Sequence, residues 1–442
     1  MKKFICLALF LTLNYANGLD YNIIKKGQSD NNTVLIIGGI QGDEPGGFMA
    51  ANLIAMDYEI TKGSVWIVPN LNFYSIIKRN RGPHGDMNRK FAELSENDPD
   101  FNTIQSIKKV ITEDEVSLIL HLHDGSGFYR EKYINKLENP SRWGNCLIID
   151  QEKVEGVKYG DLESIAKQVM SKMNLNLIEP KHKYHLRNTN TAKGDQEMLK
   201  ALTYFAITNG KAAFANEASK ELPTHKRAYY HLLAIEEYLK IAGVEFKRNF
   251  ELSPNGVKKA IDKEIDISLF EDKFYLNLKN PRNKIGYVPM PKTSDIQYST
   301  NNNLAAVYTD KNITRVYYGN RVLTRLNPEY FEYSDNLKNV KIDIDGQTKE
   351  INLGSKIKAN SSIKIHSQKN VRVNVIGFNT NKKSEDDVKI TKKDIHRSYS
   401  IDKEGKVFRV EFYEIQNGKK DKYLGMFLVE FAFAKDLKKA LA

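Results

Sequence analysis

The sequence predicts an α/β domain followed by β-rich chain, and three observations carry that prediction. Up to about Gly243, near-continuous apolar runs alternate with stretches of helical period, the pattern of a largely parallel sheet covered by helices on both faces. After about Glu245 the helical period fades and short alternating runs take over, as in residues 273–278. From about residue 340 the alternation sharpens, with turn signals at the spacing of a β-sandwich.

The strand-like runs of the first part are residues 34–37, 65–68, 116–122, 146–149 and 212–215. Helical stretches at 48–58, 104–110, 162–173, 197–207 and 226–241 lie between them. Farther on, residues 340–344 and 351–353 flank Asp345-Gly346 and predict a hairpin. Residues 363–365, 371–375 and 407–412 alternate with period two, and 423–433 closes the series. Turns at Glu404-Gly405 and Asn417-Gly418 punctuate it.

The N-terminus has a different texture. Met1-Lys2-Lys3 precedes the apolar run from Phe4 to Leu13, and Ala16-Asn17-Gly18 follows, the layout of an export signal cleaved near Gly18. Cys6 sits inside the apolar run rather than at a small-residue boundary, which argues against a lipid anchor. Cleavage leaves Cys146 as the single cysteine, so no intramolecular disulfide forms, and its setting in Asn145-Cys146-Leu147-Ile148-Ile149 predicts a buried strand thiol. An exported chain of this size without disulfides fits a bacterial periplasm. No later stretch is apolar over the length needed to span a membrane.

With 442 residues the chain exceeds one ordinary core, and two or three domains are expected. Its formal net charge is +12. Such an excess concentrates acidic partners. A basic-aromatic repeat typical of nucleic-acid binders is missing, and a wall polymer bearing carboxylates suits an exported protein better.

Chemistry concentrates at strand ends. The run Val34-Leu35-Ile36-Ile37 leads into Gly38-Gly39-Ile40-Gln41-Gly42-Asp43-Glu44-Pro45-Gly46-Gly47, which sets an amide and a carboxylate three residues apart in a glycine-rich bend. Bends of that kind at strand ends carry the sites of open α/β sheets. The strand at 116–120 ends in His121-Leu122-His123-Asp124-Gly125, with both histidines on one face and His123 nearer the bend. The loop Arg79-Asn80-Arg81-Gly82-Pro83-His84-Gly85-Asp86-Met87-Asn88-Arg89 offers guanidinium forks and an amide, donors suited to a bidentate carboxylate. In Phe214-Ala215-Asn216-Glu217 an apolar strand ends in a carboxylate placed as a general base would be.

In this order the set resembles the zinc carboxypeptidases of the carboxypeptidase A type, the M14 peptidases. Their pattern is His-x-x-Glu at a first strand end, a distant His, Arg ahead of Asn-Arg, and a late Glu. The resemblance spans residues 34–217. It implies that Glu44 and His123 are metal ligands, Arg81 the carbonyl polariser, Asn88 and Arg89 the terminal-carboxylate clamp, and Glu217 the base. Gln41 stands where the family has His, placing a neutral amide oxygen among the ligands of one Zn²⁺.

That variant, together with the export signal and the trailing β-rich chain, narrows the resemblance to the periplasmic peptidoglycan DL-carboxypeptidases that set helical cell shape in Campylobacter and Helicobacter. It implies an α/β carboxypeptidase-type domain with a mixed sheet flanked by helices over residues 19–244. A barrel-like β-rich domain at 245–337 and an Ig-like sandwich at 338–442 would follow the signal (1–18) and this domain. The implied activity is zinc-dependent release of meso-diaminopimelate from the uncrosslinked stem tripeptide, leaving a dipeptide. Trp143 and the run Arg187-Asn188-Thr189-Asn190-Thr191 are candidates to line the pocket for the second centre of that amino acid, or to be structural. Two other readings compete: a wall-binding scaffold whose metal site has decayed at Gln41, and a deacylase on the same fold, which needs no strong carboxylate clamp.

Overall fold

Every residue of Thr33–Ile37 is buried, as a strand covered on both faces requires. The structure is a computed structural model describing residues 19–29, 31–292 and 296–432; the expected export signal lies outside them. The chain divides into two units, the first comprising Leu19–Lys263 with Gly319–Arg321 and the second the remaining described residues.

In the first unit, β1 (Ile24–Gly27) and β2 (Thr33–Ile37) precede α1 (Pro45–Asp57). There follow β3 (Tyr58–Lys62), β4 (Ser64–Val68), α2 (Phe73–Lys78), α3 (Phe101–Thr112) and β5 (Val116–Gly125). A short ladder joins β6 (Phe128–Tyr129) to β7 (Glu138–Asn139). Then come β8 (Cys146–Ile149), α4 (Leu162–Met173), β9 (His185–Asn188), α5 (Leu202–Thr208), β10 (Ala212–Ser219) and α6 (Thr224–Ile241). The seven-stranded sheet has the order β1-β4-β2-β5-β10-β8-β9. Its centre, β4-β2-β5-β10, is parallel; β1 runs antiparallel to β4 and β8 antiparallel to β10 but parallel to β9, so the sheet is mixed.

All five strand-like runs expected in this part fall within strands. The stretch expected at 197–207 divides into a 3-10 turn, Met198–Lys200, and α5. Helix α1 is buried on nearly every side, the behaviour of a helix apolar all round. The unit also runs past the textural change at residue 245. There β11 (Glu245–Arg248) pairs with β3, and α7 (Pro254–Ile261) packs on α6 and α1. The largely exposed β11 has no buried face to read in sequence.

The glycine-rich bend earns its composition mostly through close approach. A Cβ at Gly42 would lie 1.9 Å from the Ser75 carbonyl oxygen, and one at Gly46 would lie 2.3 Å from the Asp124 carboxylate. Only Gly39, with φ +73°, needs glycine's left-handed freedom. Pro45 opens α1 at a position where its missing N–H costs nothing.

The second unit is built from small sheets. Ile265–Leu269, Phe274–Leu278 and Tyr298–Thr300 form one, and Lys284–Met290, Ala305–Asp310, Ile313–Tyr318 and Arg321–Tyr330 another. Farther on, Asn339–Ile344 pairs with Gln347–Asn352 in the expected hairpin and joins a four-stranded sheet. A second four-stranded sheet contains Val407–Glu414 and Lys422–Phe431. Val340, Ile342 and Ile365 of one and Val373, Phe412 and Phe427 of the other share a core, the packing of a sandwich.

One buried carboxylate ties the first unit together. Asp124, at the end of β5, accepts from the Gly46 backbone N–H at 2.7 Å, from Arg227 at 2.8 Å and from His231 Nε2 at 3.1 Å. It thereby joins β5 to the first turn of α1 and to α6. Removing one partner of such a network leaves the others buried and unpaired, a cost of about 3–5 kcal/mol. Asp124→Ala should therefore lower the denaturant midpoint of the first unit by that much stability, followed by far-UV circular dichroism.

Candidate active site

The ends of β2, β5 and β10 open into one cavity of about 280 Å³, lined among others by Gln41, Glu44, Arg81, Asn88, Arg89, His123, Trp143 and Glu217. All eight expected site residues thus meet there. Parallel registry explains much of this. His123 on β5 sits opposite Glu217 on β10, and Glu217 sits opposite Cys146 on β8.

At its centre Glu44 Oε2 lies 2.9 Å from His123 Nδ1 and accepts the Asp124 backbone N–H at 3.1 Å. Glu44 Oε1 faces Lys220 Nζ at 3.4 Å and Arg81 at 3.6 Å. Burial, reinforced by Asp124 and Asp43 against the opposing Lys220, pushes the Glu44 carboxyl up to about 8. Burial, and then the Arg81 charge, pulls the His123 imidazole down to about 3, so this ring is neutral and keeps a lone pair for coordination.

Gln41 is 1 % exposed. Its Nε2 donates to Asp86 Oδ1 at 2.6 Å. That bond orients the amide, because a carboxylate accepts and does not donate, and it leaves the buried Gln41 Oε1 with no partner. Asp86 also accepts from Arg81 Nε at 2.9 Å through its other oxygen, and from the Asn88 backbone N–H at 3.0 Å. Burial alone would raise the Asp86 carboxyl; the Gln41 amide and the Arg81 and Arg89 charges outweigh it and hold the group below the usual carboxylate range.

The loop residues are set by the same turn. Asp86 caps the 3-10 turn Met87–Arg89. Asn88 Oδ1 accepts from the Leu202 backbone N–H at 3.0 Å, turning Nδ2 toward His123 Nε2 at 3.4 Å. Arg89 donates to the Asn88 carbonyl at 3.0 Å and stands 3.7 Å from Glu197.

Glu217 is 9 % exposed, and its Oε2 has no hydrogen-bond partner. Burial, with Glu44 and Asp124 adding repulsion, holds its carboxyl well above the usual range. A carboxylate so placed binds protons avidly, which a base near neutral pH requires.

Trp143 lines the cavity, with the Arg187 guanidinium over its ring at 3.6 Å. Of the run from Arg187 to Thr191, Arg187 meets the cavity wall through that stack. Thr189 and Thr191 instead bond the Asp150 carboxylate. Cys146 is fully buried and donates to the Trp143 carbonyl at 3.0 Å; burial pushes its thiol well above the ordinary range, the behaviour of an inert strand thiol.

Sequence reasoning did not single out Asp86 or Lys220, nor the partners of Asp124. Lys220 lines the cavity and bonds Asp43 at 2.7 Å. His121 lines it too, with Nδ1 3.1 Å from His123 Nε2.

Among the described residues no group of three His, Cys, Asp or Glu side chains is set to hold a metal. The buried amide oxygen of Gln41 is suited to be the third donor. Gln41 Oε1 is unpartnered and buried, and Gln41, Glu44 and His123 line one cavity, so a neutral oxygen, a carboxylate and an imidazole converge. Three protein ligands of that kind with an open fourth position fit a catalytic metal.

A family model described as the catalytic part of the carboxypeptidases controlling helical cell shape matches residues 4–262. A second, described as the C-terminal domain of metallo-carboxypeptidase, matches residues 333–432. The apo cell shape determinant Csd4 of Helicobacter pylori is 41% identical, covers 93% of this chain and 100% of its own, and superposes with a TM-score of 0.87. Its tripeptide-bound form, also 41% identical over 93% of this chain and 100% of its own, gives 0.86. The mDAP-bound form, described as a D,L-carboxypeptidase, is 42% identical over 92% of this chain and 100% of its own, with a TM-score of 0.86. A search of curated proteins finds no match. The chain therefore belongs to the metallocarboxypeptidases that control helical cell shape, the M99 peptidases.

Proposed function

We propose that this chain is a zinc-dependent D,L-carboxypeptidase that trims the stem tripeptide L-Ala–γ-D-Glu–meso-diaminopimelate of uncrosslinked peptidoglycan to the dipeptide, and so affects cell shape. The observation that carries it is one cavity joining an ordered donor set, Gln41, Glu44 and His123, to a carboxylate clamp and a buried base. The tripeptide-bound relative supports the substrate class. The place of action is the periplasm, reached through the export signal. Among the described residues no helix is long and apolar enough to cross a membrane.

In this reading Gln41, Glu44 and His123 hold the zinc ion. When bound, it supplies Lewis-acid polarisation and a water of lowered pKa. Glu217 takes the proton of the attacking water and delivers one to the leaving amine of diaminopimelate. Arg81, steered by Asp86, donates to the scissile carbonyl oxygen as negative charge develops there. Asn88 and Arg89 hold the terminal carboxylate, which fixes the cut one residue from the end. Trp143, stiffened by Arg187, walls the space beside the diaminopimelate side chain.

Incubating the enzyme with the defined tripeptide, with chelator and with added zinc, and reading products by mass tests the proposal. Release of diaminopimelate should stop with chelator and return with zinc; an intact tripeptide under all conditions would overturn it. Glu217→Gln keeps shape but cannot accept the proton, and its rate at saturating zinc should fall on the order of a hundredfold to ten-thousandfold.

The clamp is checked on the substrate. Amidating the carboxylate at the main-chain terminus of diaminopimelate should slow the parent strongly, and Arg89→Ala should lose most of that discrimination. Equal rates on acid and amide for the parent would point to an endopeptidase or amidase.

Asp86→Ala frees the Gln41 amide to turn its nitrogen inward. Loss of such an outer partner typically costs about 10- to 100-fold in metal affinity. Zinc titration of parent and variant with a competing chelator reads the difference, and equal affinities would remove Gln41 orientation from the account.

A further inference from the structure

Among the described residues, three cationic side chains line the cavity: Arg81, Arg89 and Lys220. The mechanism above uses two of them. Lys220 follows the base by three residues, and its backbone N–H is fixed to the Gly125 carbonyl at 2.8 Å. Its ammonium is held by Asp43 at 2.7 Å and reaches Glu44 Oε1 at 3.4 Å. The side chain is 29% exposed, so its charge acts through a medium less screening than water.

A chain of contacts links the clamp to Lys220. Asn88 Nδ2 stands 3.4 Å from His123 Nε2, His123 Nδ1 stands 2.9 Å from Glu44, and Glu44 stands 3.4 Å from Lys220. The contacts thus run from Asn88 of the clamp through His123 and Glu44 to Lys220, and Arg81 reaches the same Glu44 oxygen at 3.6 Å. With a peptide's terminal carboxylate at Asn88 and Arg89 and its scissile amide at the donor set, Lys220 is the cavity cation left for the preceding residue.

We propose that Lys220 binds the free α-carboxylate of the γ-linked acidic residue that precedes the scissile bond, and so selects peptides that carry an anion there. This rests on the stem-peptide reading above. A γ-glutamyl link leaves an α-carboxylate three carbons from the attacked carbonyl; an α-linked residue carries an anion at that distance only if it is itself acidic. Lysine suits the task as a point charge with three donors. Asp43 fixes where that charge sits.

The experiment compares the tripeptide with its counterpart carrying an α-carboxamide on the D-glutamyl residue. Initial rates of diaminopimelate release give kcat and KM, and calorimetry gives binding of both peptides to the zinc-loaded enzymes. The proteins are the parent, Lys220→Met and Lys220→Arg, with zinc content measured on each. The parent should prefer the acid on the order of ten- to a hundredfold in kcat/KM and in affinity, the worth of a hydrogen bond to a charged group. Lys220→Met should bring the ratio near one, mainly by weakening the acid, and Lys220→Arg should restore part of it.

A parent that binds acid and amide alike would overturn the assignment. So would a methionine variant that keeps the full ratio, or one that loses zinc and weakens both peptides equally, because Lys220 would then serve Glu44. If no protein cleaved either peptide, the stem-peptidase reading would fail, while the binding ratios would still decide the role of Lys220.

Discussion

The carboxylate of Asp86 accepts from the Gln41 amide through one oxygen and from the Arg81 guanidinium through the other, and the chemical sense of the site depends on that pair. An amide can present either end to a cavity. With its nitrogen engaged, Gln41 presents oxygen, which is the end a cation requires. The same carboxylate caps the turn that carries Asn88 and Arg89, so the Gln41 amide, the Arg81 guanidinium and that turn share one anchor. Hydrogen bonds linked in this way do not contribute independently.

Much of the first unit was legible because its strands are buried on both faces and leave apolar runs with little interruption. The candidate site was legible for a related reason: in a parallel sheet, residues at successive strand ends are brought to one edge, so Gln41, His123 and Glu217 converge although far apart in sequence. What could not be read were the pairings made across that distance. Asp86 stands in a charge-rich loop and looks like any solvated carboxylate until its partner, Gln41, is seen beside it. Lys220 looked like one more lysine of a basic chain. Asp124 was noted only as part of a bend, although its partners Gly46, Arg227 and His231 come from two helices.

The pocket wall shows the limit of composition as a guide. The polar run after Arg187 reads as a row of donors facing a ligand, yet Thr189 and Thr191 spend their hydroxyls on the buried Asp150. Arg187 contributes by lying over the Trp143 ring, stiffening a flat apolar surface. Satisfying a buried carboxylate took precedence over lining the cavity, as buried polar groups generally demand.

Gln41 also changes how the site meets acid. An imidazole or a carboxylate at a metal loses affinity as protons compete for its lone pairs. A primary amide takes up no proton over the range in which proteins fold, so at this position acidity has nothing to act on. In the proposed ligand set proton competition falls on His123 and Glu44, and burial raises the Glu44 carboxyl despite the opposing charge of Lys220. As the proposed ligand, a weaker neutral donor thus has a compensation: one corner of the site stays the same whatever the acidity around it.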